Sequence, residues 1–412
     1  MRLLRALIAM LMLPCAAPGG QPFVKLGIEV LQDRHFDLLR GKTVGLITNP
    51  TGVDSQLRST IDILLHAPGV RLVALIGPEH GVRGDAPAGS AIASTTDSRT
   101  GLPVYSLYGR TRKPTPEMLQ HIDVLVYDMQ DIGCRSYTYI STMGLAMEAA
   151  AEQAIPFVVL DRPDPLGGVR VEGNIAEAGF TSFVSPYPIP YVYGLTCGEL
   201  ASLLNGEGML HGAEHCVLTV IPMLGWKRGM LYPQTGLPWV PPSPHIPEAT
   251  TPLYCIASGI LGELGTYSVG VGYTFPFHAY AAGWIDPEKL AEGMADLRLR
   301  GVLFRPVTYT PFYGSQEGSA ERGVQFYIEE PDSVNLMSLQ FLFLQTLHRL
   351  YPQRDIFASV DRQHLSSFDA VLGSGAVRKL FSGRMTYGDI RAYLDKDVPR
   401  FRQLSRKYYL YP

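Results

Sequence analysis

Five short apolar runs, at residues 42–48, 71–76, 102–107, 124–127 and 157–160, each end in a polar, charge-bearing loop. The runs are continuous and rich in Val, Ile and Leu, as strands buried on both faces are. Between them lie segments of helical spacing. Residues 57–65 read as an amphipathic helix stopped by Pro68. Residues 114–121 read as a short helix with Pro near its start, and 139–154 as a longer one. This strand–helix alternation predicts an α/β fold with a parallel sheet and helices on both faces. A further helix at 196–206 and a strand at 216–221 continue it. Downstream the character becomes α+β. A Gly-rich stretch at 259–277 is expected near the site or the domain junction. Residues 332–351 form a long helix, with Leu336, Leu339, Phe343, Leu347 and Leu350 near helical spacing. Another helix spans 382–394, and the aromatic, basic end at 401–412 docks on the core. We therefore expect a sheet domain followed by a smaller C-terminal domain, with the boundary near 255–285.

At 412 residues, 46% hydrophobic and 18% charged, the chain can build such a core. A formal net charge of -3 with no basic stripe argues against a nucleic-acid partner. Arg2 and Arg5, then an apolar run over 6–13, then small residues and Pro-Gly-Gly follow the order of a secretory signal peptide over 1–20. The run is too short to span a bilayer. Export to the periplasm or medium is expected. A lipid anchor at Cys15 is the lesser alternative, because Leu13-Pro14 lacks the small residue usual before a lipidated Cys. No later segment is long enough to span a membrane. Cys134, Cys197, Cys216 and Cys255 match no zinc spacing and read as buried thiols, with a Cys197–Cys216 bridge left open.

In open α/β sheets, ligands bind outside the carboxyl ends of the strands. Those ends carry Asn49-Pro-Thr-Gly52, Gly77-Pro-Glu79-His80-Gly81, Asp128-Met-Gln-Asp131 and Asp161-Arg162-Pro-Asp164. The stretch from 77 to 101 is long and irregular, as functional loops are. No nucleophile elbow, phosphate loop or metalloprotease motif occurs, and no cofactor or metal is expected. The remaining carboxylates, Tyr, Arg and Trp suit glycoside hydrolysis. One carboxyl protonates the leaving oxygen, a second supports the opposite face, and aromatics stack on the sugar.

These residues carry a family resemblance. Asn49-Pro-Thr-Gly52, Gly77-Pro-Glu-His-Gly81, Tyr127-Asp-Met-Gln-Asp-Ile-Gly133, Arg135-Ser-Tyr-Thr-Tyr139, Asp161-Arg-Pro163, Pro165-Leu-Gly-Gly168 and Val171-Glu-Gly-Asn174 resemble the exo-β-N-acetylmuramidases of the NamZ/YbbC type. The match continues in order through Gly194-Leu-Thr196, Gly225-Trp226, Pro242-Ser-Pro244, Thr274-Phe-Pro-Phe277 and Gly323-Val-Gln325. The resemblance implies an exported cell-wall glycoside hydrolase that releases N-acetylmuramic acid from the non-reducing end of peptidoglycan fragments. It also implies a Rossmann-like catalytic domain, expected over 22–265, followed by a smaller α/β domain over 266–412 with the site in the cleft between them, and Glu79 as the catalytic residue. The chain departs from the family where Tyr267, Val269, Val271 and Tyr273 replace an Asn, a Glu, an Arg and a Thr. It departs again at Asp164 and His245, where the family has Asn.

The catalytic candidates are Glu79, His80, Asp128 and Asp131. The substrate-binding candidates are Asn49, Arg135, Tyr137, Tyr139, Arg162, Glu172, Asn174, His245, Glu263 and Thr266. Each has a plainer reading. Glu79 could pair with Arg83, Asp128 and Asp131 could cap a helix, and Arg135 could pair with those aspartates. Tyr137 and Tyr139 alternate faces if extended, so at most one would line a pocket. Two functions follow. One is an exo-glycosidase acting on N-acetylmuramic acid or a relative. The other is a non-hydrolytic binding protein for cell-wall sugars, motivated by the changes at 267–273.

Overall fold

The computed structural model describes residues 24–85, 94–212 and 215–412; the expected export signal and Cys15 lie outside these. Seven strands form the first sheet: β1 (Thr43–Thr48), β2 (Arg71–Gly77), β3 (Thr95–Thr96), β4 (Pro103–Ser106), β5 (Val124–Asp128), β6 (Phe157–Leu160) and β7 (Leu218–Ile221). Their order is β3-β4-β2-β1-β5-β6-β7, and all are parallel except β3. The chain runs outward from β1 to β2 and β4, then crosses back to β5, so the strand order reverses beside β1.

Side chains alternate across this sheet with period two. Val124 and Val126 of β5 face a core built with α1 (Gly27–Asp33) and α2 (Thr60–Leu65). Leu125 and Tyr127 face the opposite core, which takes in α3 (Pro116–Leu119), α4 (Tyr139–Glu152) and α5 (Cys197–Gly206). Burial on both faces is why these strands read as unbroken apolar runs.

The second half is a three-stranded antiparallel sheet with helices around it. Its strands are β8 (Ala279–Ala281), β9 (Val302–Tyr309) and β10 (Glu321–Ile328), in the order β8-β10-β9. The helices are α6 (Thr251–Gly262), α7 (Pro287–Ala295), α8 (Ser338–Leu350), α9 (Arg362–Leu372), α10 (Gly375–Arg384), α11 (Tyr387–Asp395) and α12 (Val398–Ser405). Leu253, Ile256, Ile260 and Leu261 of α6 share one core with Leu339, Phe343 and Leu347 of α8. By packing, α6 therefore goes with the C-terminal layer.

Two helices differ from the sequence pattern. The expected helix at 332–351 begins only at Ser338, because residues 331–333 form a separate 3-10 turn headed by Pro331. The expected helix at 382–394 is two helices. Met385 breaks them with a left-handed backbone (φ 51°), and its N–H bonds back to the Phe381 carbonyl at 2.8 Å. The apolar spacing runs straight through this break, so periodicity could not show it. Among the described residues, Cys134, Cys197, Cys216 and Cys255 are free thiols. Among the described residues, no helix is long and apolar enough to cross a membrane.

The halves are stitched together by buried polar groups. Arg135, fully buried, donates to the carbonyls of Asn174 (2.8 Å), Ile189 (2.6 Å) and Val371 (3.0 Å) and to Ser185 Oγ (3.1 Å). The last carbonyl belongs to α9, so one guanidinium spans both domains. Burial pushes its pKa down to about 10. Glu172 accepts from Arg170 at 2.5 Å and from the Met337 N–H at 2.9 Å. Asn174 Nδ2 donates to the Leu372 carbonyl at 3.0 Å. The terminal segment returns to the first domain, as its composition suggested. Tyr411 donates its hydroxyl to Asp161, and the Leu410 N–H reaches Glu199 at 2.8 Å.

Arg135→Lys keeps the charge but loses the planar fork that reaches four acceptors. We expect it to cost about 2–4 kcal/mol, because buried carbonyls are left unpaired. Guanidinium chloride midpoints of the two proteins measure this, and equal midpoints would contradict the bridging role.

Candidate active site

The reversal of strand order beside β1 marks the crevice where α/β proteins usually bind ligands. Here it is filled. Asp128, at the end of β5, takes Arg162 Nε at 2.5 Å on one oxygen and the Thr60 hydroxyl on the other. Its backbone carbonyl accepts from Thr48 Oγ1 at 2.9 Å. Arg162 also donates to the Val53 carbonyl at 2.7 Å. Both side chains are buried, and the void beside Arg162 is about 10 Å³, room for one water at most. Asp128 and Arg162 thus hold the strand ends together, and both carboxylate oxygens of Asp128 are engaged.

The open chemistry lies one strand over, around Glu79. The loop after β2 turns sharply. His80 adopts a left-handed backbone (φ 70°), and the Gly81 N–H closes onto the Pro78 carbonyl at 3.0 Å. Gly84 is needed where this loop meets the one after β1. A Cβ there would sit 2.5 Å from the Pro50 ring at φ +74°. Arg83 forks onto Asp97 through two bonds of 3.0 and 2.9 Å, which helps hold the Asp97 carboxyl down at about 2.

Glu79 itself is half-buried and accepts from Thr138 Oγ1 at 3.0 Å. Tyr108, just past β4, faces it. Burial and the Glu79 charge push that phenol up to about 12. His80 is buried close by, and His245 is half-buried within reach of both charges. Burial and the His80 charge depress the His245 imidazole, while Glu79 acts the other way. Tyr139 is buried and donates to the Pro242 carbonyl, tying the 242–245 loop to the rim. Tyr137 packs edge-on against Tyr139 at 4.8 Å. The two rings meet rather than alternate, because residues 136–138 are the turn leading into α4 and not a strand. Asn49 accepts from Thr51 through Oδ1, which leaves its Nδ2 buried without a hydrogen-bond partner.

Asp131 lies deeper. One oxygen takes the Gly133 N–H at 2.7 Å and the Tyr193 hydroxyl; the other is buried and unpartnered. Burial pushes its pKa up to about 6, despite the pull of Tyr193. Asp164 repeats the pattern. One oxygen accepts from the Leu166 N–H at 2.9 Å and the other is unpartnered. Burial, with the Asp131 charge adding to it, drives its pKa well up.

The remaining candidates are elsewhere. Arg135, Glu172 and Asn174 are the interdomain struts described above. Glu263 caps the C-terminal end of α6 and Thr266 follows it. Burial raises the Glu263 carboxyl, with His364 opposing, and Thr266 lines a separate cavity of about 370 Å³ with Trp284 and Arg354. Tyr267 and Val269 are core residues; the Tyr267 ring packs on Phe343 at 5.6 Å. Among the described residues, no three His, Cys, Asp or Glu side chains gather as metal ligands do. Sequence reading missed Tyr108 and Thr138. Thr138 lies inside a motif already singled out, and Tyr108 directly follows an expected strand, so both were within reach of the strand-end rule.

Comparison with known proteins agrees across the chain. The family model described as exo-β-N-acetylmuramidase NamZ, N-terminal, matches residues 44–250, and its C-terminal counterpart matches 254–411. The chain is 44% identical over 392 residues to the peptidoglycan β-N-acetylmuramidase NamZ of Bacillus subtilis (strain 168), covering 95% of this chain and 92% of that one. Two crystal structures of DUF1343 family proteins from Bacteroides fragilis are also similar. One has a TM-score of 0.91 at 56% identity, covering 95% of this chain and 100% of the other. The second has 0.73 at 29% identity, covering 94% and 99%.

The Asp131–Asp164 pair generates a pH test. Both folded pKa values lie above the ordinary carboxyl value near 4, so the folded state holds extra protons. The stability they contribute is complete below about pH 4 and is lost as pH rises, for Asp131 through about 6. Asp164→Asn removes one acid and its repulsion on the other. Denaturant midpoints should show a gain of about 1–3 kcal/mol at pH 7 and almost none at pH 4. A difference that does not change with pH would count against the pair.

Proposed function

The chain belongs to the exo-β-N-acetylmuramidase NamZ family of glycoside hydrolases, and from that premise we propose an exported exo-glycosidase that removes N-acetylmuramic acid, or a close relative, from the non-reducing end of peptidoglycan fragments. The observation that carries this reading is the setting of Glu79. It is a carboxyl at a strand end, gripped by the Thr138 hydroxyl and faced by Tyr108.

Glu79 is the general acid. It gives its proton to the glycosidic oxygen as the bond to the anomeric carbon breaks, and the oxocarbenium character of the transition state falls on the sugar bound above it. His80 and Thr138 position the carboxyl. Asn49 Nδ2, a donor left unpartnered, and His245 supply polar contacts to the sugar. Asp131 is the second carboxyl, acting on the 2-acetamido group or on the water. Its unspent oxygen distinguishes it from Asp128, and Tyr139 feels the charges of both Glu79 and Asp131. Export rests on the amino-terminal pattern of 1–20. Of the changes at 267–273, which motivated a non-hydrolytic reading, Tyr267 and Val269 lie in the C-terminal core.

Glu79→Gln should abolish release of sugar from a muramic acid glycoside with an unchanged melting curve, since general acid catalysis needs the proton. Near-normal kcat in that variant would remove Glu79 from the mechanism. Sugar preference is the second test. Val271 cannot pair with a lactyl carboxylate, and a lost charge-assisted hydrogen bond costs roughly 1.5–3 kcal/mol, about a tenfold to hundredfold in affinity. Discrimination between N-acetylmuramic acid and N-acetylglucosamine glycosides, read as a ratio of kcat/KM, should therefore be weak. A preference of several orders of magnitude for the muramic acid glycoside would mean that another cation reads the carboxylate.

A further inference from the structure

We propose that the loop joining β9 to β10 carries an aromatic platform, Phe312 and Tyr313, that binds the sugar on the leaving-group side of the scissile bond. This deepens the reading above and rests on it.

Three observations carry the proposal. The first is exposure. Phe312 is 67% exposed and Tyr313 48%, and no large apolar side chain among the described residues is more exposed than Phe312. Leaving an aromatic ring in water forfeits the burial energy it could contribute, so an ordered exposed pair calls for a partner.

The second is position. The Tyr313 ring lies nearly parallel to His245, at 13° with centroids 5.8 Å apart. His245 in turn feels the charges of Glu79 and His80. His245 therefore links Tyr313 to the loop that carries the general acid. Phe312 follows on the same loop. In an exo-acting enzyme the terminal sugar fills the inner site, and the next ring extends outward from the acid. Pyranose faces present C–H groups, which pack on aromatic faces.

The third is rigidity. The Phe312 N–H bonds the Gly272 carbonyl at 2.7 Å, and Gln316 Nε2 bonds the Gly265 carbonyl at 3.1 Å. A Cβ at Gly272 would lie 2.2 Å from the Tyr313 carbonyl oxygen, so only glycine lets the two segments touch. The Phe312 ring rests on Tyr273, at 5.2 Å and 25°. Both rings are thus held in place before a ligand arrives, which reduces the ordering cost of binding.

The test compares two substrates. A methyl glycoside of N-acetylmuramic acid fills only the inner site. The disaccharide of N-acetylmuramic acid linked to N-acetylglucosamine also reaches the platform. In a Phe312→Ala/Tyr313→Ala variant we expect kcat/KM for the disaccharide to fall roughly ten- to hundredfold, three- to tenfold per ring. The methyl glycoside should be cleaved as before, and Phe312→Trp with Tyr313→Phe should restore the disaccharide rate. Equal losses on both substrates, or no loss on either, would overturn the platform. Calorimetric affinity for the disaccharide reads the same site without turnover. Weaker binding by the alanine variant supports the platform, and equal binding overturns it. If the wild type binds the disaccharide but cleaves neither substrate, the hydrolytic reading fails and the platform stands on the affinities alone.

Discussion

The buried pair of Asp128 and Arg162 sets the geometry on which the site depends. It joins the carboxyl ends of β5 and β6, and through Thr60 and Val53 it fixes the start of α2 and the loop after β1. A buried ion pair is weak evidence for stability, since desolvation offsets much of the attraction. Its value here is positional. Both charges are satisfied by hydrogen bonds on named segments, so the strand ends cannot shift independently. The same pair occupies the crevice where doubly wound sheets usually take a ligand. The candidate chemistry lies toward β2 and β4, where Glu79, Tyr108 and Thr138 meet.

A second constraint keeps the domains in register. The proposed site draws Glu79 and Thr138 from the first domain, His245 from the segment ahead of α6, and Tyr313 from the β9–β10 loop. These can act together only if the two halves are fixed relative to each other. Arg135, Glu172 and Asn174 supply that fixation from inside the junction, and the terminal segment wraps back to Asp161 and Glu199. Residues that read as sugar ligands are thus scaffold, which still shapes the site. Polar groups buried at a domain junction must find partners there.

Much of the fold was legible before any coordinates. The apolar runs of β1, β2, β5 and β6 are strands within a residue of their expected ends, because two-sided burial leaves an unbroken hydrophobic signature. Glu79 was marked by its place after such a run in a Gly/Pro-shaped loop. The break at Met385 and the late start of α8 were not legible. The apolar spacing is the same on both sides of a kink, and local periodicity carries no record of where the packing partner ends.

The residues at the strand ends were all visible in the sequence as polar groups in the right places, but their partners were not. Whether a buried Asp faces an Arg, as Asp128 does, or has one oxygen unpaired, as Asp131 does, depends on side chains tens of residues away. The same holds for Arg135, whose acceptors come from Asn174, Ile189 and Val371. The sequence by itself determined the strand–helix order, the strand-end placement of Glu79 and the family, since these follow from short-range periodicity and from motifs in order. Only the tertiary structure decided which charges are spent on one another and which loops meet at Glu79, because hydrogen-bond partnership is set by distance in space and not by separation along the chain.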